Sequence, residues 1–199
     1  MAGAPGIVGA GINVPVSGGG FVPYANLDYA ASAPCLAAVQ HAVTEALPYY
    51  SSVHRGAGYA SQLTTARYEQ ARQTVREFLG ARARDSVIFT RNTTDAMNLL
   101  AQALPPETTV VVFESEHHAA LLPWERRHRT IRLPVPPSPS AAVPAVEAAF
   151  AAAPAGPRLL VVTAASNVTG EIWPVADLAR AAHAHGARIA VDLAQYAPH

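Results

Sequence analysis

An amide and two hydroxyls, Asn92-Thr93-Thr94, stand immediately before the apolar-periodic run Asp95–Ala103. At a helix start these residues combine hydroxyl donors, free backbone N–H groups and the positive end of the dipole, a combination that holds phosphate. An ordinary N-cap uses the same residue types, and from this segment alone the N-cap is the favoured reading. Glu116-His117-His118 brings a carboxylate and two imidazoles together. Adjacent histidines do not share a face, and no partner Cys/His spacing accompanies them, so the pattern argues against metal. It leaves a stacking or proton-transfer imidazole, with a satisfied histidine at an element end as the alternative. Asp192 closes the apolar run Ile189-Ala190-Val191, where a carboxylate needs a partner to offset its desolvation. The protonated ring nitrogen of pyridoxal phosphate is one such partner, and an N-cap for the residues that follow is the other.

The elements that must position these groups alternate along the chain. Ser32 and Pro34 open a predicted helix carrying Leu36, Val39, Val43 and Leu47 on one face, stopped by Pro48, and a second runs from Ser61 to Leu79 with Gly80 as its stop. Short β-rich runs follow at Ser86–Thr90, Thr109–Phe113, Arg158–Thr163 and Arg188–Asp192, with a weaker one at Thr130–Leu133. Predicted helices occupy Asp95–Ala103, His118–Arg127, Ala145–Ala153 and Val175–His185. Strands alternating with helices predict an α/β layer fold with a mainly parallel sheet. In such sheets ligands bind outside the carboxyl ends of the strands. Thr90–Thr94, Glu114–His118, Ser166-Asn167 and Asp192 with Gln195 all follow a predicted strand, a concentration of polar groups that is unusual for a purely structural chain. His183 and His185 fall in the last turn of a helix, where a cation suits the dipole, and receive no function. The Pro134–Ser140 stretch reads as a surface loop.

Composition narrows the classes further. The chain has 199 residues, half of them hydrophobic and 14% charged, with formal net charge zero. That is ample apolar content for a core, and it gives no electrostatic case for nucleic acid or an anionic membrane. The lone cysteine, Cys35, excludes an internal disulfide framework and suits a reducing, cytoplasmic setting. Residues 1–23 are uncharged and rich in Gly and Pro; they lack the basic region of a secretory signal and read as a flexible arm. The sequons at Asn92 and Asn167 carry no weight without a secretory route. Within the arm, Gly9-Ala10-Gly11-Ile12-Asn13-Val14 half-matches a dinucleotide fingerprint, but the third glycine is missing and Pro15 stands where a helix should open.

Taken together these residues resemble the class V aminotransferase family, and within it the cysteine-desulfurase-like branch. The matching motifs run in family order: Leu27-Asp28-Tyr29-Ala30-Ala31-Ser32-Ala33, Val53-His54-Arg55-Gly56, and Phe89 through Leu99. Glu116 through Trp124, Ser166-Asn167-Val168-Thr169-Gly170, and Val191-Asp192-Leu193-Ala194-Gln195 continue the series. The resemblance implies the three-layer, mainly parallel sheet of the pyridoxal-phosphate-dependent transferase large domain, spanning residues 24–199 and incomplete at the C-terminus, with the small domain absent. It implies pyridoxal 5'-phosphate as cofactor, an amino-acid substrate and a homodimer, with no nucleic acid, membrane or metal. By resemblance Thr93 and Thr94 hold the cofactor phosphate, and His117 stacks on the ring and moves protons. Asp192 pairs with the ring nitrogen, Asn167 and Gln195 lie near the ring hydroxyl, and His54 and Arg55 belong to a substrate or dimer loop.

Three departures qualify the resemblance. Asn92 and Leu193 stand where desulfurases carry glycine, which weakens the desulfurase branch more than the family. Members also carry a Schiff-base lysine in a Ser-Gly-His-Lys stretch, whereas all 14 basic residues here are arginine. Arginine stays protonated and cannot serve as the amine nucleophile. The expectation is therefore the N-terminal portion of such an enzyme, inactive alone; a cofactor-binding or dimer-forming remnant and one half of a split enzyme are the rival readings.

Overall fold

A computed structural model describes residues 6–199, and the first five residues of the predicted arm lie outside the described residues. The chain divides into two units, ending and beginning at Ile88 and Phe89. In the first, Asn13–Pro15 (β1) pairs antiparallel with Phe21–Pro23 (β2), joined through Gly19 and Gly20 at φ 84° and 88°. Glycine alone adopts that left-handed backbone without strain. The half-fingerprint of the arm thus lies in a turn and β1, and no helix opens after it. Two helices follow, Ala37–Ala46 (α1) and Tyr59–Phe78 (α2). Pro48 ends α1 by entering a single 3₁₀ turn, Leu47–Tyr49, whose first positions need no N–H donor. Val39, Val43 and Leu47 of the predicted apolar face are all more than half exposed.

The second unit holds Thr93–Ala103 (α3), Thr109–Phe113 (β3), His118–Leu121 (α4), Arg129–Leu133 (β4), Ala142–Ala152 (α5), Arg158–Thr163 (β5), Val175–Ala184 (α6) and Arg188–Asp192 (β6). Its strands form one parallel sheet in the order β4-β3-β5-β6. The period-two alternation of β3 and β5 sends side chains to opposite faces. Val111, Phe113, Leu160 and Val162 meet Val146 and Phe150 of α5 and Leu178 of α6. On the other face Val110, Val112, Leu159 and Val161 meet Met97 and Ala101 of α3 and Trp124 beyond α4. Both faces are covered, as a parallel sheet requires, and the layers are three.

Two sequence expectations are corrected. Ser86–Thr90 is not a strand: it joins neither sheet, and Ile88 is 66% exposed. A β-rich run becomes a strand only when a neighbour takes its alternating N–H and C=O groups. The helix predicted over His118–Arg127 stops after Leu121, because Pro123 has no N–H to donate to the Ala119 carbonyl and its ring crowds that group. Turns replace it, held by Trp124 Nε1–H donating to the Ala120 carbonyl at 2.6 Å and by the His128 amide donating to the Trp124 carbonyl. No helix among the described residues is long and apolar enough to cross a membrane.

Candidate functional site

From β3 the chain moves outward to β4, then returns past β3 to β5 and on to β6. The direction of winding therefore reverses between β3 and β5, and the loops leaving their carboxyl ends part there. Such a switch point is where an open α/β sheet forms a crevice for a ligand. A cavity of about 390 Å³ lies at this place, lined by Glu116 and His117 after β3, by Ser138 after β4, and by Thr163, Ser166 and Asn167 after β5.

His117 is held at the start of α4, where its Nδ1 accepts the Ala119 N–H at 3.1 Å. That bond makes Nδ1 an acceptor and leaves the ring proton of a neutral imidazole on Nε2. The ring is exposed and also lines a second depression of about 350 Å³, together with Thr94, Asn98 and Arg126. One imidazole thus borders both the α3 side and the β5 side of the crevice.

On the α3 side, Asn92 is the N-cap: its Oδ1 accepts the Asp95 N–H at 2.9 Å and its carbonyl accepts the Ala96 N–H. Of the four leading amides of the helix, which lack intrahelical acceptors, those of Thr93 and Thr94 come without a share in this cap. The cap and the anion cradle are therefore compatible, with Asn92 serving one and the threonines the other. Arg91 fixes the turn by a two-point pair with Asp95, at 2.5 and 3.0 Å, which holds the Asp95 carboxyl below its usual range.

On the far side, Ser166 Oγ accepts the amides of Val168 and Thr169, and Gly170 at φ 72° closes the turn that exposes Asn167. Asp192 ends β6 buried, with Oδ1 accepting the Ala194 N–H at 2.9 Å, and Gln195 follows in the next turn. The structure therefore brings Thr94 and His117 to one depression, and His117 and Asn167 to the other. His54 and Arg55 belong to the first unit, ahead of α2. His54 has φ 58° and its Nε2 is 2.9 Å from Glu69 Oε1, so it is anchored to α2.

Sequence reasoning missed two groups. Arg126 lines the depression beside Thr94 and His117, and nothing in its neighbours signals that. Glu116, considered above only as a metal ligand, is 4% exposed with neither carboxyl oxygen hydrogen-bonded. Burial pushes its carboxyl up to about 7; the Thr163 backbone opposes this without a bond of normal geometry, and the Asp192 charge adds to it. Its place after the strand gave no signal, since Glu114 lies nearer the same strand and is exposed.

A phosphate-bearing pyridine can be tested against these donors. Two threonine hydroxyls and two leading amides at the α3 N-terminus suit a phosphate, an exposed imidazole face suits a ring, and a buried carboxylate suits a protonated ring nitrogen. The residues present fit the group.

The aminotransferase class-V family profile matches residues 25–199. A cysteine desulfurase of Dickeya dadantii is 37% identical over 189 residues, which cover 89% of this chain and 45% of that relative. A crystal structure of a cysteine desulfurase from Escherichia coli superposes with a TM-score of 0.68 at 33% identity, over 86% of this chain and 45% of that one. The apo cysteine desulfurase of Thermococcus onnurineus gives 0.73 at 31% identity, over 86% and 44%. The chain spans about 45% of the length of the curated relatives it matches.

Proposed function

The chain belongs to the class V aminotransferase family, and from that premise we propose that it supplies the cofactor-holding half of a pyridoxal-phosphate site acting on an amino acid, in the manner of the cysteine desulfurases it resembles. The observation that carries this reading is His117 bordering both Thr94 and Asn167 at the switch point of the sheet.

Each residue then has a task. Thr93 and Thr94 bind the phosphate with hydroxyls and helix-start amides, where the dipole favours negative charge. His117 covers the ring, with its Nδ1 tied to the Ala119 amide so that only Nε2 is left to exchange a proton. Asp192 holds a proton on the ring nitrogen from a site where water does not compete. Asn167 and Gln195 orient the ring hydroxyl, and His54 with Arg55 contributes to a substrate or dimer loop. When bound, the cofactor supplies an electron sink for charge developing at the substrate α-carbon. None of the 199 residues is lysine, so the Schiff-base amine is not among them.

The desulfurase relatives support an amino-acid substrate, the homodimer is what the resemblance implies, and the lone Cys35 suits a cytoplasmic setting. Adding pyridoxal phosphate to the purified chain and following its absorbance and fluorescence tests the proposal. Saturable binding, weakened by replacing both Thr93 and Thr94 with valine in a protein of unchanged circular dichroism, is the expected result. Binding that ignores this double change removes the phosphate site.

A further inference from the structure

Glu116 and Asp192 are the only carboxyls buried among the described residues, and both lie at the carboxyl ends of strands of one sheet. Glu116 sits in the turn leaving β3, its amide donating to the Phe113 carbonyl at 3.1 Å, and it lines the same cavity as Thr163. Thr163 pairs with Asp192 in the β5–β6 ladder, and the Asp192 carbonyl accepts the Ala164 amide. The two acids are thus separated by the end of one strand.

Their surroundings are unequal. Asp192 has the Ala194 N–H on its carboxylate, whereas neither oxygen of Glu116 accepts a bond. Two carboxylates so placed cannot both ionise cheaply, and the charge settles where a donor already points at it. The other titratable groups facing Glu116 are His117 and His118 on its own turn and Glu171 across the cavity, all exposed to solvent.

We propose that Glu116 is a positioning residue acting through Asp192: the two form one acid pair, Asp192 bearing the negative charge and Glu116 the proton. The raised titration of Glu116 points the same way. In this arrangement Glu116 controls how much negative charge Asp192 offers a protonated ring nitrogen. That consequence rests on the function proposed above, while the pair itself does not.

The test is a ¹³C NMR titration of the side-chain carboxyls in the full chain. Glu116 and Asp192 are assigned by the signals lost in Glu116→Gln and Asp192→Asn. In a coupled pair the site that ionises first raises the midpoint of the second. Asp192→Asn should therefore lower the Glu116 midpoint by roughly half a pH unit or more, because it removes a like charge. Asp192→Ser serves the same purpose if Asp192→Asn fails to fold. A Glu116 midpoint that stays in place in a folded variant overturns the pair and reduces Glu116 to an isolated buried acid. Pyridoxal phosphate added to the same samples distinguishes the two proposals: a lowered Glu116 midpoint without cofactor binding upholds the pair and refutes the cofactor reading.

Discussion

Replacing Glu116 with glutamine should change the pH dependence of folding stability in a direction opposite to that of most carboxylates. Burial raises the Glu116 carboxyl from 4.5 to about 7 in the folded protein. Between these values the folded chain keeps a proton that the unfolded chain releases, so parent stability falls as pH rises through this window. Below pH 4.5 the acid is neutral in both states and costs nothing extra; above 7 the penalty is complete. At roughly 1.4 kcal/mol per pH unit the loss amounts to about 3 kcal/mol, a large share of the 5–15 kcal/mol that holds a typical domain together. Glutamine has the same shape and cannot ionise, so Glu116→Gln should match the parent near pH 4 and exceed it by about 3 kcal/mol at pH 8. Urea unfolding of both chains, followed by far-UV circular dichroism at intervals from pH 4 to 8, measures the difference directly. A difference that stays flat across that range would refute the reasoning, because it would show Glu116 titrating alike in the folded and unfolded chains.

Other perturbations probe the supports of the site. Phe150 is fully buried between α5 and the sheet; Phe150→Ala should cost about 3–5 kcal/mol in urea unfolding by leaving a cavity. Asn92→Ala removes the cap on α3 and should cost about 0.5–2 kcal/mol, with a matching fall in amide-exchange protection across the first turn. Asp192→Asn should weaken pyridoxal phosphate binding and alter the spectrum of the bound cofactor; an unchanged spectrum and affinity would make Asp192 a cap for the turn after β6. Incubated with pyridoxal phosphate and cysteine, the lysine-free chain should release sulfide no faster than free cofactor does, since no positioned amine is present to add its ~10²–10⁴-fold of general-base catalysis.

Much of the architecture was legible from local pattern. The apolar runs that become β3, β5 and β6 are continuous because both faces of a parallel sheet are covered, and the intervening helices carry their own start and stop residues. His117, Asn167 and Asp192 could be singled out because each ends or follows an apolar run, and strand ends are where a parallel sheet presents polar groups; Thr93 and Thr94 could because they open a helix. Other features depended on contacts that no local window contains. Ser86–Thr90 has the composition of a strand and joins neither sheet, so tertiary context decided its state. The strand order β4-β3-β5-β6, which places the crevice between β3 and β5, is a property of how the chain returns past its first strand. Glu116 looks like any loop glutamate in sequence; only the fold removes it from water and sets it one strand from Asp192, where desolvation and a like charge govern its proton.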